Sequence, residues 1–280
     1  MIKGISLFFG PPHEGKNQSK QLRIDEEKIR EIIKLTKKIG FNTLLFNGYL
    51  ENEYFPYAKI AEEEKIDYWY HLPYHWAEKP KNEEEMWKDV KKIIENKHLK
   101  CLTVGCEIFG DREKIIKKNH DKIKSMSDMK TCYDHHMLEF NNPTKITDIT
   151  GVNIYSPLQA LQWWPETHAY FEENKIFGKT IYDASRHVLS PLKNSHALTN
   201  FFLKQFMKRT EKPIVITEFA CRGEPKIIDQ YYETFNKNGI NDSFYYNITP
   251  YIYDIKGITD RGFSHVNTEK TIKYFSDLNA

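Results

Sequence analysis

Two stretches of the chain close an apolar run on a carboxylate. In LTVGCEIFGD the run 102–106 ends at Glu107, and in PIVITEFACRG the run 213–217 ends at Glu218. A buried strand has little reason to finish on a charge, because an ion taken out of water is costly unless it is paired. Two carboxylates facing one cavity suit one chemistry well. One protonates a glycosidic oxygen and the other attacks the anomeric carbon, with the carboxyl groups about 5 Å apart when configuration is retained. Like charges in one apolar site also push their proton affinities apart, which separates an acid from a nucleophile. The spacing is equally that of two unrelated rim glutamates, each ion-paired with an Arg or Lys.

Histidines supply the second set of candidates. His71 and His75 lie in YHLPYHW, and Asp134, His135 and His136 are consecutive in CYDHHML. One reading makes His71 and His75 metal ligands, with Glu107 and His135 or His136 completing the site. Pro73 breaks a helical pair between His71 and His75, and the first apolar run has no HxH. No metal and no cofactor are therefore assigned, and His71 and His136 are read as contacts to sugar hydroxyls. Strand alternation sends Asp134 and His136 to one face and His135 to the other. Trp76 and Trp163 offer flat apolar faces on which sugar rings stack, or they anchor their own loops. Asn153 and Tyr246 complete the polar groups placed at strand ends. A serine or cysteine nucleophile is disfavoured, since no GxSxG turn is present.

These residues need a frame that gathers strand ends. Apolar runs at 4–10, 42–50, 66–74, 100–110, 130–138, 148–157 and 242–252, with one more inside 211–223, read as eight strands. Between them lie amphipathic stretches. Ile29, Ile32, Ile33 and Leu35 space out one helix face, with Gly40 at its end. Asn82 is placed to cap a helix over 82–97 whose first turn is acidic. Helices are also expected over 57–65, 112–126, 195–210, 226–238 and 267–278, with little helix after the fifth strand. Strand–helix alternation implies a parallel sheet with crossover helices. Eight such units in 280 residues predict an α/β fold, a single (β/α)8 TIM barrel spanning 1–280. An open doubly wound sheet is the alternative, but no glycine-rich phosphate loop follows any strand.

Composition narrows the function classes. A net charge of +2 and the lack of a basic–aromatic stripe give no reason to expect nucleic acid. No apolar run is long enough for a membrane span. The four cysteines, Cys101, Cys106, Cys132 and Cys221, show no CxxC spacing and sit in apolar context. The start of the chain does not read as a signal peptide, so a cytoplasmic location is expected.

The segments around the two glutamates carry a resemblance. The chain resembles the superfamily of retaining glycoside hydrolases with (β/α)8 barrels, often called clan A. PIVITEFA is similar to the clan's strand-seven segment, which implies Glu218 as nucleophile. LTVGCEIFGD resembles the strand-four segment, which implies Glu107 as acid/base. DITGVNIYSP resembles strand six and implies Tyr155 as hydrogen-bond partner of the nucleophile. Residues 257–275 are similar to the tail after strand eight. Two departures are visible: Cys106 stands where the clan carries Asn before the acid/base, and no Trp ends strand eight, where Tyr246 or Tyr245 is placed instead. The resemblance implies hydrolysis of a β-linked oligo- or polysaccharide by double displacement. The rival readings are a metal-dependent barrel enzyme acting on a sugar or sugar phosphate, and a non-catalytic carbohydrate-binding barrel.

Overall fold

A computed structural model of the chain describes residues 1–8, 26–47, 54–74, 79–80, 82–108, 110–154, 196–219, 225–246 and 268–279. Eight strands run in chain order: β1 (Lys3–Phe8), β2 (Thr43–Asn47), β3 (Asp67–His71), β4 (Leu99–Cys106), β5 (Thr131–His136), β6 (Ile149–Ile154), β7 (Ile214–Phe219) and β8 (Ser243–Tyr246). Each pairs in parallel with the next, and β8 returns to β1 with Lys3 opposite Ser243, so the sheet closes as a barrel. The described helices are α1 (Glu26–Lys38), α2 (Tyr54–Glu63), α3 (Glu83–Ile93), α4 (Arg112–Lys124), α5 (His196–Met207), α6 (Pro225–Lys237) and α7 (Thr268–Asn279). The expected (β/α)8 architecture is the one observed.

Local chemistry explains the elements. On α1, Ile29, Ile32 and Ile33 are buried, with acidic residues in the first turn and basic ones in the last. That charge order complements the helix dipole. Gly40 takes a left-handed conformation (φ 92°) just past the helix, where a side chain would be strained. Asn82 caps α3 as expected, its side chain accepting the Glu85 N–H at 3.2 Å. After β5 the chain makes a single 3-10 turn, Met137–Asn141, rather than an α-helix.

The strands are shorter than the apolar runs. β4 stops at Cys106, because Glu107 adopts a left-handed backbone (φ 47°) that cannot continue the ladder. β3 stops at His71, just ahead of Leu72 and Pro73.

One layer fills the barrel interior. Leu45, Trp69, Cys101, Cys132, Ile149, Val215 and Phe244 form a single buried cluster, one residue from each of β2 to β8. β1 contributes Gly4, and the Phe244 ring occupies the space its side chain would take, 2.2 Å from an ideal Cβ. Trp69 and Phe244 lie with ring centres 5.1 Å apart across this layer. Two residues further along β5 and β6 come Asp134 and Gly151, so the next layer is polar on one strand and empty of side chain on its neighbour.

Gly151 is needed for that layer. A Cβ there would lie 2.4 Å from Asp134 Oδ1, 2.8 Å from Cys132 Sγ and 2.9 Å from Thr217 Cγ2. Gly151→Ala is therefore expected to destabilise the fold by about 1–3 kcal/mol, the usual cost of overpacking. Denaturant unfolding checks this, and an unchanged midpoint would mean that the neighbours yield freely.

Candidate active site

The polar residues gather at the carboxyl ends of β3 to β7. His71, Glu107, Asp134, His136, Asn153, Thr217 and Glu218 are all buried there. Strand register makes them a continuous row. Cys106 lies opposite Asp134, His136 opposite Asn153, and Asn153 opposite Glu218. The register shifts along β4 between Thr103 and Cys106, and along β7 between Ile216 and Phe219. Such irregularities re-aim side chains next to functional sites. Both glutamates follow or lie within one.

Glu107 is held in place through its backbone. A non-glycine residue in the left-handed region costs about 1–2 kcal/mol and persists only where its surroundings enforce it. Three consecutive amides do so here. The Cys106 N–H donates to Tyr74 O, and the Glu107 N–H to Asp134 O, both at 2.9 Å. The Ile108 N–H donates to the Tyr133 hydroxyl at 2.8 Å. The turn is thus tied to both neighbouring strands.

Asn153 organises the side chains. Its Nδ2 donates to Glu107 Oε1 at 3.2 Å and to Cys106 Sγ at 3.3 Å. Its Oδ1 accepts from Thr217 Oγ1 at 2.9 Å, which fixes the amide's orientation. Cys106 precedes Glu107, and an amide reaches the Glu107 carboxylate from β6. Burial pushes the Cys106 thiol well up, reinforced by the charges of Glu107, Asp134 and Glu218.

The histidines divide by hydrogen bonding. His135 Nδ1 donates to Gly151 O at 2.9 Å, and its Nε2 accepts the Thr144 N–H at 2.9 Å. Both nitrogens are used, its ring packs edge-on against Tyr133 and Phe206, and it faces the helix layer. His136 Nδ1 accepts the Leu138 N–H at 3.2 Å, which puts its proton on Nε2. Its ring is buried beside Glu107, whose charge partly offsets the burial that lowers its proton affinity. The expected alternation along Asp134, His135 and His136 holds. His71 Nδ1 donates to Leu72 O at 2.8 Å, leaving the Nε2 lone pair 3.6 Å from Asp134 Oδ2. Burial pushes Asp134 up to about 8 and His71 down to about 4, so the two face each other uncharged near neutrality.

An ion pair between half-buried Arg112 and buried Glu139 supports the row from outside. Arg112 Nη1 donates to Glu139 Oε1 and Nη2 to Asn142 O, each at 2.8 Å. Glu139 Oε2 accepts the His136 N–H at 2.9 Å. Sequence reasoning passed over Arg112, Glu139, Tyr133, Thr217 and Gly151. The only signal was their nearness to the candidate glutamates and histidines.

The structure brings together Glu107, Glu218, His71, His136 and Asn153 among the expected site residues. Tyr155, Trp76 and Trp163 lie outside the described residues, as does the side chain of Tyr246. No helix among the described residues is long and apolar enough to cross a membrane.

No protein-family model matches the sequence, and no curated protein matches it. Solved structures do resemble the barrel. One is a GH2 β-galacturonidase from Eisenbergiella tayi bound to galacturonate, with TM-score 0.60 and 12% identity, covering 99% of this chain and 51% of that one. Another is a β-glucuronidase from Ruminococcus gnavus in complex with D-glucuronic acid, with TM-score 0.58 and 11% identity, covering 88% and 42%. A third is a glycoside hydrolase family 17 β-1,3-glucanosyltransferase from Rhizomucor miehei, with TM-score 0.57 and 14% identity, covering 87% and 85%. The chain spans 30–51% of the β-glucuronidases and the β-galacturonidase it matches. At these identities the likeness is one of fold. The clan A-like barrel expected from the glutamate segments is the fold these glycoside hydrolases share.

His135 gives a pH test of the scaffold. Burial lowers it from 6.5 to about 3, so between those values the unfolded chain binds a proton that the folded chain refuses. Stability contributed by neutral His135 is present above about pH 6.5 and is lost as pH falls toward 3. His135→Asn is expected to be less stable at neutral pH but to lose less on acidification. Denaturant midpoints at pH 7 and pH 4.5 compare the two slopes, and parallel slopes would contradict the assignment.

Proposed function

We infer that the chain is a glycosidase that cleaves a β-linked oligo- or polysaccharide with retention of configuration. Glu218 is the nucleophile and Glu107 the general acid/base. One observation carries this reading: two glutamates are buried at the ends of β4 and β7, in one row of polar side chains, each at an irregularity of its strand. The fold shared with glycoside hydrolases supports it.

The reaction runs in two halves. Glu218 attacks the anomeric carbon while Glu107 gives its proton to the departing oxygen, leaving a glycosyl ester on Glu218. Glu107, now a carboxylate, takes a proton from water, which attacks the same carbon and frees Glu218. The Asn153 amide lies on Glu107 Oε1, where it steadies the charged form left after the first proton transfer. His136 is proposed as a contact to a sugar hydroxyl. Tyr155 is proposed as the hydrogen-bond partner that orients Glu218, and Trp76, Trp163 and Tyr246 as further substrate contacts.

Aryl β-glycosides of differing leaving group test the roles. Glu218→Gln is expected to abolish turnover on all of them. Glu107→Gln is expected to cost about 10²–10⁴ in kcat/KM on leaving groups that need a proton and far less on those that depart as stable phenolates, where the loss falls instead on kcat through the second step. The first product should keep its anomeric configuration by NMR. Inversion would overturn the double displacement. Glycan binding with no turnover on any substrate would favour a non-catalytic carbohydrate-binding barrel.

A further inference from the structure

Three buried side chains at the ends of β3, β4 and β5 share an arrangement that the double displacement does not require. Each has a neighbour securing it and an electron-pair donor facing the other two. His71 is fixed by its Nδ1–H to Leu72 O at 2.8 Å, so Nε2 carries a lone pair. Asp134 Oδ1 accepts from Cys132 Sγ at 3.4 Å. The Asn153 amide points its N–H at Cys106 Sγ from 3.3 Å. His71 Nε2 and Asp134 Oδ2 are buried with no hydrogen-bond partner among the described residues, and they lie 3.6 Å apart. One ring nitrogen of His71, one carboxylate oxygen of Asp134 and Cys106 Sγ all fall within 4.8 Å of one another. Leaving a buried polar atom unsatisfied costs about 1–3 kcal/mol, and here two face the same point.

We propose that His71 Nε2, Cys106 Sγ and Asp134 Oδ2 are the protein ligands of a zinc-type divalent ion. Imidazole nitrogen, thiolate sulfur and carboxylate oxygen are the donors zinc takes, and a thiolate argues against calcium or magnesium. Bond lengths of about 2.0–2.3 Å in a tetrahedron set donor atoms roughly 3.4–3.6 Å apart. The His71–Asp134 pair already meets that spacing. Cys106 Sγ, within 4.8 Å of the other two ligand atoms, must draw in to complete the tetrahedron. One thiolate and one carboxylate balance the ion's two charges, which removes the objection to burying any of them. The outer contacts are those a ligand set requires: Leu72 O on the histidine, Asn153 on the sulfur and Cys132 on the carboxylate. Three protein ligands leave a fourth position. The site uses neither glutamate side chain, and it does not rest on the glycosidase reading.

The test uses cobalt(II) as a spectroscopic probe on the full chain, stripped of metal with a chelator. One equivalent should bind, giving the intense visible bands of a tetrahedral ion and a near-ultraviolet thiolate-to-metal band. Zinc should displace it. Cys106→Ser should remove the thiolate band, and His71→Ala and Asp134→Asn should each weaken binding by more than the roughly 10–100-fold typical of losing an outer contact. His98→Ala, which removes the His98–Asp67 pair at the opposite end of the barrel, should change nothing. Wild-type protein that binds no cobalt, or binds it without a thiolate band, overturns the proposal. That result would leave His71 and Asp134 as a neutral pair sharing one proton. The wild-type measurement stands whether or not the variants fold, and none of it depends on turnover of a glycoside.

Discussion

Eight parallel strands that close on themselves enclose one narrow interior, and every inward side chain competes for it. The rest of the structure follows from that competition. Phe244 and Trp69 are large enough to fill the lower layer only because β1 places Gly4 beside the phenyl ring. With the bottom plugged by apolar groups, the layer above can hold Asp134, and Gly151 gives it room on the next strand. Polar groups then rise along the same strands to the mouth, where parallel direction brings every carboxyl end to one side. Helices on the outside take up the alternate residues, among them Leu102, Val104, Val152 and Ile154.

Above that plug, geometry is set by backbone more than by side chain. β4 gives up its ladder at Glu107, and three successive amides are caught by β3 and β5. β7 shifts register where Thr217 and Glu218 succeed one another, and Thr217 uses the displacement to orient Asn153. The amide then bridges the sulfur and the carboxylate of adjacent residues on β4.

Much of this was legible in the sequence. Continuous apolar runs located the strands, because a barrel strand is buried on both faces, and the isoleucine face of α1 located its helix, because burial of one face imposes that spacing. Asn82 was legible as a cap because the acidic turn follows it. Glu107 and Glu218 stood out as charges ending apolar runs. What could not be read was irregularity. Nothing in LTVGCE announces a left-handed glutamate, since the conformation is enforced by Tyr74, Asp134 and Tyr133 from elsewhere in the chain. The three histidines look alike as letters and differ only through partners such as Thr144, Leu138 and Leu72. Gly4 and Gly151 carry no side chain that signals a role, yet they are the places where the interior is made to fit.

Arg112 carries a last consequence. It begins α4, yet its guanidinium is bound to Glu139 and to Asn142 O beyond the end of β5. The segment that leaves Glu107 is therefore short and fastened at both ends, at one by the strand amides and at the other by this arginine. A carboxylate on so brief a span has little freedom to swing out to solvent when the cavity is empty. The geometry at β4 is thus largely set before any ligand arrives, and binding energy need not be spent on assembling it.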